Sequence, residues 1–341
     1  MQNDRELQAM HETSIVESAI DDHSGDAKAF RAFLLESGIT LSDLTADLTP
    51  KYATVWRDIA VGYTGLLSSQ LVVMYLSNQF ADGLVFVVLL GAALVGFFMA
   101  YLQLFTHEAA HRNLVPDPIL NDRLANALLT IWLGQDIRDY RRIHFKHHRK
   151  LGTPEDPERS YFQEPSWRLL LETLFLVHLF RVFSMHRDTQ TNRDKQRPGV
   201  SKYLQFGIFL NAAVVLGLLW GLGLPSAISW VLGVMCFFPC FSTWRQLLEH
   251  RSPNAKAGVD YAKVPQGAYT RMFGKTLFER LFGGAGFNRH LLHHWVPEVS
   301  YTQFDELQNR LVKFVQTDDI IAARRSGYLT ALKLLVDQKG A

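Results

Sequence analysis

Apolar positions are spread very unevenly along this chain. Between Ala60 and Phe105 the only charged residue is Asp82, and between Leu204 and Trp244 there is none. Each stretch is about twice the ~20 residues that an α-helix needs to cross a hydrocarbon core of ~30 Å. Turn-forming residues interrupt each near its middle, at Ser77-Asn78-Gln79-Phe80-Ala81-Asp82-Gly83 and at Gly221-Leu222-Gly223-Leu224-Pro225-Ser226. The pattern predicts two transmembrane hairpins with spans near 60–77, 84–105, 204–221 and 226–244. Long helices without a polar face do not suit a water-soluble fold. Two further apolar segments read differently. Ile119–Ile137 carries Asp122, Arg123 and Asp136, and Leu169–Phe183 carries Glu172, His178 and Arg181, so both are expected to lie in the membrane interface as amphipathic helices. A shorter amphipathic helix is expected at Ala27–Glu36.

Charge sets the expected topology. Neither hairpin turn holds a Lys or Arg, so all 35 basic residues fall in the other three segments. The positive-inside rule puts the N-terminus, the 106–203 segment and the C-terminus in the cytoplasm, across a bacterial inner membrane or one of ER type. The acidic N-terminal segment has no early apolar run and does not read as a signal peptide. The expected fold is therefore all-α and integral to the membrane, with four transmembrane helices and a cytoplasmic helical cap. Its expected parts are a cytosolic segment (1–55), a membrane and catalytic domain (56–315) and a helical tail (316–341). With 48% hydrophobic residues and a net charge of +2, the chain is neither disordered nor a general binder of nucleic acid. Cys236 and Cys240 share a helical face in the fourth span and read as packing residues, and Pro239 between them predicts a kink.

The chemistry lies in the histidines. Of 13, nine fall in four windows: His107 and His111; His144, His147 and His148; His250, after Glu249; and His290, His293 and His294. Spacings of three and four put imidazoles on one helical face, where they can converge on a metal. The His-x-x-His-His pattern occurs twice and nine imidazoles exceed what one ion holds, which suggests two metals. Imidazole suits iron, zinc, copper and nickel. A single shared site also requires all four windows on one face of the membrane, which favours four spans. His11, His23, His178 and His186 follow no ligand spacing and read as ordinary.

The order His-x-x-x-His, His-x-x-His-His, Glu-His, His-x-x-His-His on two hairpins resembles the membrane fatty acid desaturase and hydroxylase superfamily. The likeness runs from about Tyr101 to Tyr301 and includes Gly152-Thr-Pro-Glu-Asp-Pro-Glu158 and His290-Leu-Leu-His-His-Trp-Val-Pro297. The resemblance implies a non-haem di-iron centre at the cytoplasmic membrane surface, ligated by His107, His111, His144, His147, His148, His250, His290, His293 and His294. It implies O₂ as co-substrate, a lipid or acyl substrate, surrounding membrane lipids, and desaturation as the reaction. Hydroxylation or ketolation of a lipid or carotenoid is the alternative within the superfamily. No His-Pro-Gly-Gly haem motif is seen, so electrons are expected from a separate ferredoxin- or cytochrome b5-like donor with its reductase. Glu108, Asp156 and Glu249 are candidates to orient ligating imidazoles. The chain departs from acyl-CoA desaturases at Gln246, where those enzymes carry an Asn that holds a metal-bound water.

Two readings from other classes compete. His107-Glu108-Ala109-Ala110-His111 matches the zinc-protease pattern, but a protease needs one metal and leaves most of the other histidines without a role. A divalent-metal transporter needs polar or charged groups at membrane depth, and the spans contain no His or Glu and only Asp82, which lies in a turn. Beside the second window, Arg138, Arg141, Arg142, Lys146, Arg149 and Lys150 form a basic rim suited to phosphate groups, an acidic protein or simple positive-inside placement. Gly274-Lys275-Thr276 lacks the first glycine of a phosphate loop, and Leu277, Phe278, Leu281 and Phe282 are expected at the membrane surface.

Overall fold

The computed structural model describes residues 26–175, 202–315 and 317–337. His11, His23, His178 and His186, and the second half of the expected Leu169–Phe183 helix, lie outside these residues; Trp167–Leu174 forms its described part. No β-strand occurs among the described residues, only an isolated bridge between Met272 and Arg325. Four helices are long and apolar enough to cross a membrane: Tyr52–Gln79, Leu84–Ala110, Lys202–Gly221 and Leu224–His250. The described residues divide into two compact units, drawn from residues 51–144 with 165–245 and from residues 1–50 with 145–164 and 246–341.

The first unit contains the long helices. Tyr52–Gln79 and Leu84–Ala110 each run for about 40 Å, longer than a bilayer core. Their charge-free stretches mark the part suited to lipid, and the helices continue beyond it. They approach closely because small residues stand at the contacts. A Cβ on Gly65 would lie 2.2 Å from the Phe98 ring, and one on Gly91 would lie 2.1 Å from Val73. Gly96 meets the backbone of Leu224–His250, where a Cβ would sit 2.7 Å from the nitrogen of Phe238. Several polar groups inside this unit bond to one another or to nearby backbone. Ser229 Oγ donates to Pro225 O at 2.7 Å, Trp230 Nε1 donates to Asn211 Oδ1 at 3.1 Å, and Ser242 Oγ donates to Gln103 Oε1 at 2.7 Å. Leu67, Leu71, Val85, Phe86, Phe206, Phe209 and Trp220 point outward, as side chains facing hydrocarbon do.

Pro239 acts on the helix just before it. With no N–H to give to the carbonyl of Met235, it follows a π-helical turn over Gly233–Phe237, in which Phe238 N bonds to Gly233 O. The Ile119–Ile137 region is a helix, Pro118–Leu128, capped by Asp117, followed by a 3₁₀ turn over Thr130–Leu133. Gly134 then turns the chain with a left-handed φ of 64°.

The second unit has its own core. The Asp26–Ser37 helix forms where amphipathicity places it, and Phe30 and Leu34 are buried with Leu291, Leu292, Trp295, Phe304 and Leu307. Phe30 stacks on Trp295 with ring centroids 4.7 Å apart. A smaller cluster gathers Leu151, Tyr161, Phe162, Tyr261 and Ala268. Gly152, with φ 76°, lets the chain pass against Gly267, whose carbonyl oxygen would lie 2.1 Å from any Cβ. Thr276 caps the Leu277–Phe282 helix in a reciprocal pair with Glu279, which gives the Gly274-Lys275-Thr276 segment a local structural role.

The close approach at Gly96 is testable. Gly96→Val should destabilise the protein by about 1–3 kcal/mol through overpacking against backbone that cannot yield. Gly217→Val, whose Cβ meets nothing within 4 Å, should cost far less. Thermal unfolding of both variants in detergent measures the difference.

Candidate metal centre

The nine window histidines are held by few elements. His107 lies in the last turn of Leu84–Ala110 and His111 caps that helix. His144, His147 and His148 lie on Ile137–Lys150, His250 ends the fourth long helix, and His290, His293 and His294 lie on the short helix His290–Trp295. The boundary between the units falls within the second of these helices, so His144 belongs to the first unit and His147 and His148 to the second.

In the first unit, the ligand atoms of His107, His111 and His144 lie within 4.8 Å of one another. His111 Nε2 stands 3.0 Å from His144 Nε2, and the rings of His107 and His144 have centroids 4.3 Å apart. Arg141, one turn before His144, fixes this arrangement. Its Nε donates to Ala110 O at 2.7 Å and its Nη2 to Ala109 O at 3.1 Å, which satisfies carbonyls at the end of the helix that carries His107. The same guanidinium forks onto Asp122, with Nη1–Oδ2 at 3.1 Å and Nη2–Oδ1 at 2.5 Å. Arg141 is therefore engaged within the fold and is not part of an open basic rim. Arg142 pairs with Asp139 at 2.8 Å. Asn121 adds a bond to Ala109 O at 2.9 Å and accepts from Leu114 N at 3.1 Å. Burial, helped by His144 and Arg141, holds the His111 pKa well below that of an ordinary imidazole, so the ring is neutral and able to ligate.

In the second unit, the ligand atoms of His147, His250 and His294 lie within 4.8 Å of one another, and all three residues are buried. His250 Nε2 and His290 Nε2 are 2.9 Å apart, as are His148 Nε2 and His293 Nε2. Two rings are oriented through their other nitrogen. His147 Nδ1 lies 3.0 and 2.9 Å from the oxygens of Asp156, and His250 Nδ1 lies 3.3 Å from the carbonyl of Tyr269. Asp156 is itself held by the hydroxyl of Tyr161 and by Glu158 N at 2.8 Å. Burial lowers the His147 pKa, but Asp156, Glu158 and Glu249 outweigh it and raise the value to about 9. A positive charge on this ring, whether a proton or a cation at Nε2, is thus welcome. Burial pushes the His294 pKa well down, with help from the neighbouring imidazoles.

The donor set fits a transition metal. Two nitrogens about 2.1 Å from one ion and at right angles to each other lie about 3.0 Å apart, and three Nε2 pairs stand at 2.9–3.0 Å. His294 Nε2 is buried and, among the described residues, has no hydrogen-bond partner. Such an atom is costly unless something binds it. A uniformly imidazole donor set favours iron, zinc, copper or nickel over calcium or magnesium.

Of the candidate orienting groups, Asp156 contacts His147, Glu249 accepts from the Tyr328 hydroxyl at 3.5 Å and adds to the charge that raises the His147 pKa, and Glu108 is buried in the Leu84–Ala110 helix. Gln246 donates to Glu158. Several residues at the site were not singled out by their pattern. Tyr161 and Glu158 stand in and just after the Gly152–Glu158 stretch, which drew attention only as a block. Tyr269 lies between two buried guanidiniums, Arg271 at 4.7 Å and Arg324 at 4.3 Å from its ring centroid, and carries no sequence signal at all.

The Arg141–Asp122 pair gives a stability test. Arg141→Met should destabilise the protein by roughly 2–4 kcal/mol, because it strands a poorly exposed carboxylate and helix-terminal carbonyls. Adding Asp122→Asn should recover part of the loss, read as a positive coupling in a double-mutant thermal unfolding cycle.

No curated protein sequence matches the chain. The family model described as "Fatty acid desaturase" matches residues 84–320, well over half the chain and the whole span of the nine histidines. This protein therefore belongs to the fatty acid desaturase family, a family of membrane oxidoreductases.

Proposed function

We propose that this chain is an O₂-dependent di-iron oxidoreductase that introduces a double bond into a fatty acyl or other lipid chain. The observation that carries the reading is the gathering of mostly buried imidazoles in both units of a fatty acid desaturase family member. A single-zinc protease would use one such set and leave the other without a role. In this reading His107, His111, His144, His147, His148, His250, His290, His293 and His294 hold two irons. Iron held by them supplies the O₂ activation that cleavage of an unactivated C–H bond requires, since side-chain acids and bases cannot do it.

The chain's own residues do the rest. Asp156 keeps the Nδ1 proton of His147 and aims its Nε2, and the Tyr269 carbonyl does the same for His250. Arg141 and Asn121 secure the helix end that presents His107 and His111. The charge asymmetry about the spans supports a cytoplasmic side for the basic segments, both termini and the site. Electrons come from a separate ferredoxin- or cytochrome b5-like donor with its reductase. Placement of the substrate methylene decides between loss of a second hydrogen and transfer of oxygen, so a lipid or carotenoid hydroxylase or ketolase is the second reading within the family.

Expression in a lipid-rich host with mass analysis of extracted lipids tests the reaction. The expected product is lighter than its substrate by about 2 Da, whereas one heavier by about 16 Da shows hydroxylation. His147→Ala and His293→Ala should each abolish turnover and lower bound iron in the purified protein. Unchanged iron and activity in either variant would remove that residue from the site.

A further inference from the structure

The turn Asp156-Pro157-Glu158 brings two carboxylates to the same histidine. Asp156 takes Nδ1 of His147, and the backbone N–H of Glu158 donates to Asp156 Oδ1 at 2.8 Å, so one turn fixes both acids. Glu158 Oε2 lies 4.0 Å from His147 Nε2, the nitrogen that Asp156 leaves for a metal. This is too long for a hydrogen bond. Two donors about 2.1 Å from a shared ion can be up to about 4.2 Å apart, so both atoms would be within reach of one metal.

The carboxylate is also held. Gln246 Nε2 donates to the same oxygen, and Gln246 stands one turn before His250 on the helix that delivers that ligand. The amide thus links the acid to the helix that ends in His250. Charge gives the acid a reason to be there. His147, His250 and His294 are buried and carry no negative charge, so a divalent ion among them gains from a nearby anion.

We propose that Glu158 is an oxygen donor to the metal held by His147, His250 and His294, acting directly or through one bound water, and that Gln246 holds its carboxylate in position. The proposal rests on the two-iron reading above and adds a ligand that the nine histidines do not include.

The test uses the full-length protein in detergent, loaded anaerobically with ⁵⁷Fe(II), with iron per chain and the Mössbauer spectrum as readouts. The wild type should hold two irons. Glu158→Gln, which keeps size and removes charge, should weaken one iron by at least about tenfold and alter the doublet of one ferrous site while leaving the other unchanged. Glu158→Asp should restore part of the affinity. Gln246→Leu should leave both irons bound but alter the same doublet. A wild type with two irons, whose count and spectrum are unaffected by Glu158→Gln and Glu158→Ala, overturns the role of Glu158 and spares the two-iron reading. A wild type holding fewer than two irons overturns the two-iron reading, and this proposal with it.

Discussion

An imidazole offers two nitrogens, and a protein that presents one of them to a metal must occupy the other and so fix the direction of the ring in a buried place. Much of the architecture around the histidines follows from that requirement. The Asp156 carboxylate and the Tyr269 carbonyl each take one nitrogen of a ring whose other nitrogen faces neighbouring imidazoles. Tyr161 and the backbone of Glu158 in turn hold Asp156, so the orientation of His147 is relayed to a buried tyrosine and a tight turn. Metal sites depend on such supporting contacts nearly as much as on the ligands.

Helix ends serve the same purpose. His107, His111 and His250 stand where long apolar helices finish, and the carbonyls left open there must find donors. Arg141 and Asn121 satisfy the first of these ends. Near the second, Arg271 donates to Leu248 O at 2.8 Å and Gln266 to His250 O at 2.9 Å. Buried arginines are rare unless engaged, and here they act as ties between the ligand-bearing helices and the loops beside them. Their charge also helps keep nearby imidazoles neutral, as Arg141 does for His111.

The parts of the fold that could be read along the chain are those governed by local pattern. The charge-free stretches between Ala60 and Phe105 and between Leu204 and Trp244 correspond to four helices able to span a bilayer, and Phe30 and Leu34 lie on the amphipathic helix that their spacing predicts. Helix ends were harder to place. Tyr52–Gln79 and Leu224–His250 run past the expected spans because hydrogen bonding continues where the apolar run stops. Arg141 stood among five other basic residues with nothing local to separate it, since its partner Asp122 is 19 positions away.

Spacing within the sequence determined which histidines could act together, because three- and four-residue steps on a helix place side chains on one face whatever surrounds it. It also determined that the chain carries four membrane-length helices, because a run without charges has few other stable homes. Tertiary structure alone decided which nitrogen of each ring is taken and by what. Asp156 reaches His147 from nine residues away, Tyr269 reaches His250 from 19, and Gln246 meets Glu158 across 88. Contacts at such separations leave no period in the chain. They exist only once packing has brought the elements together.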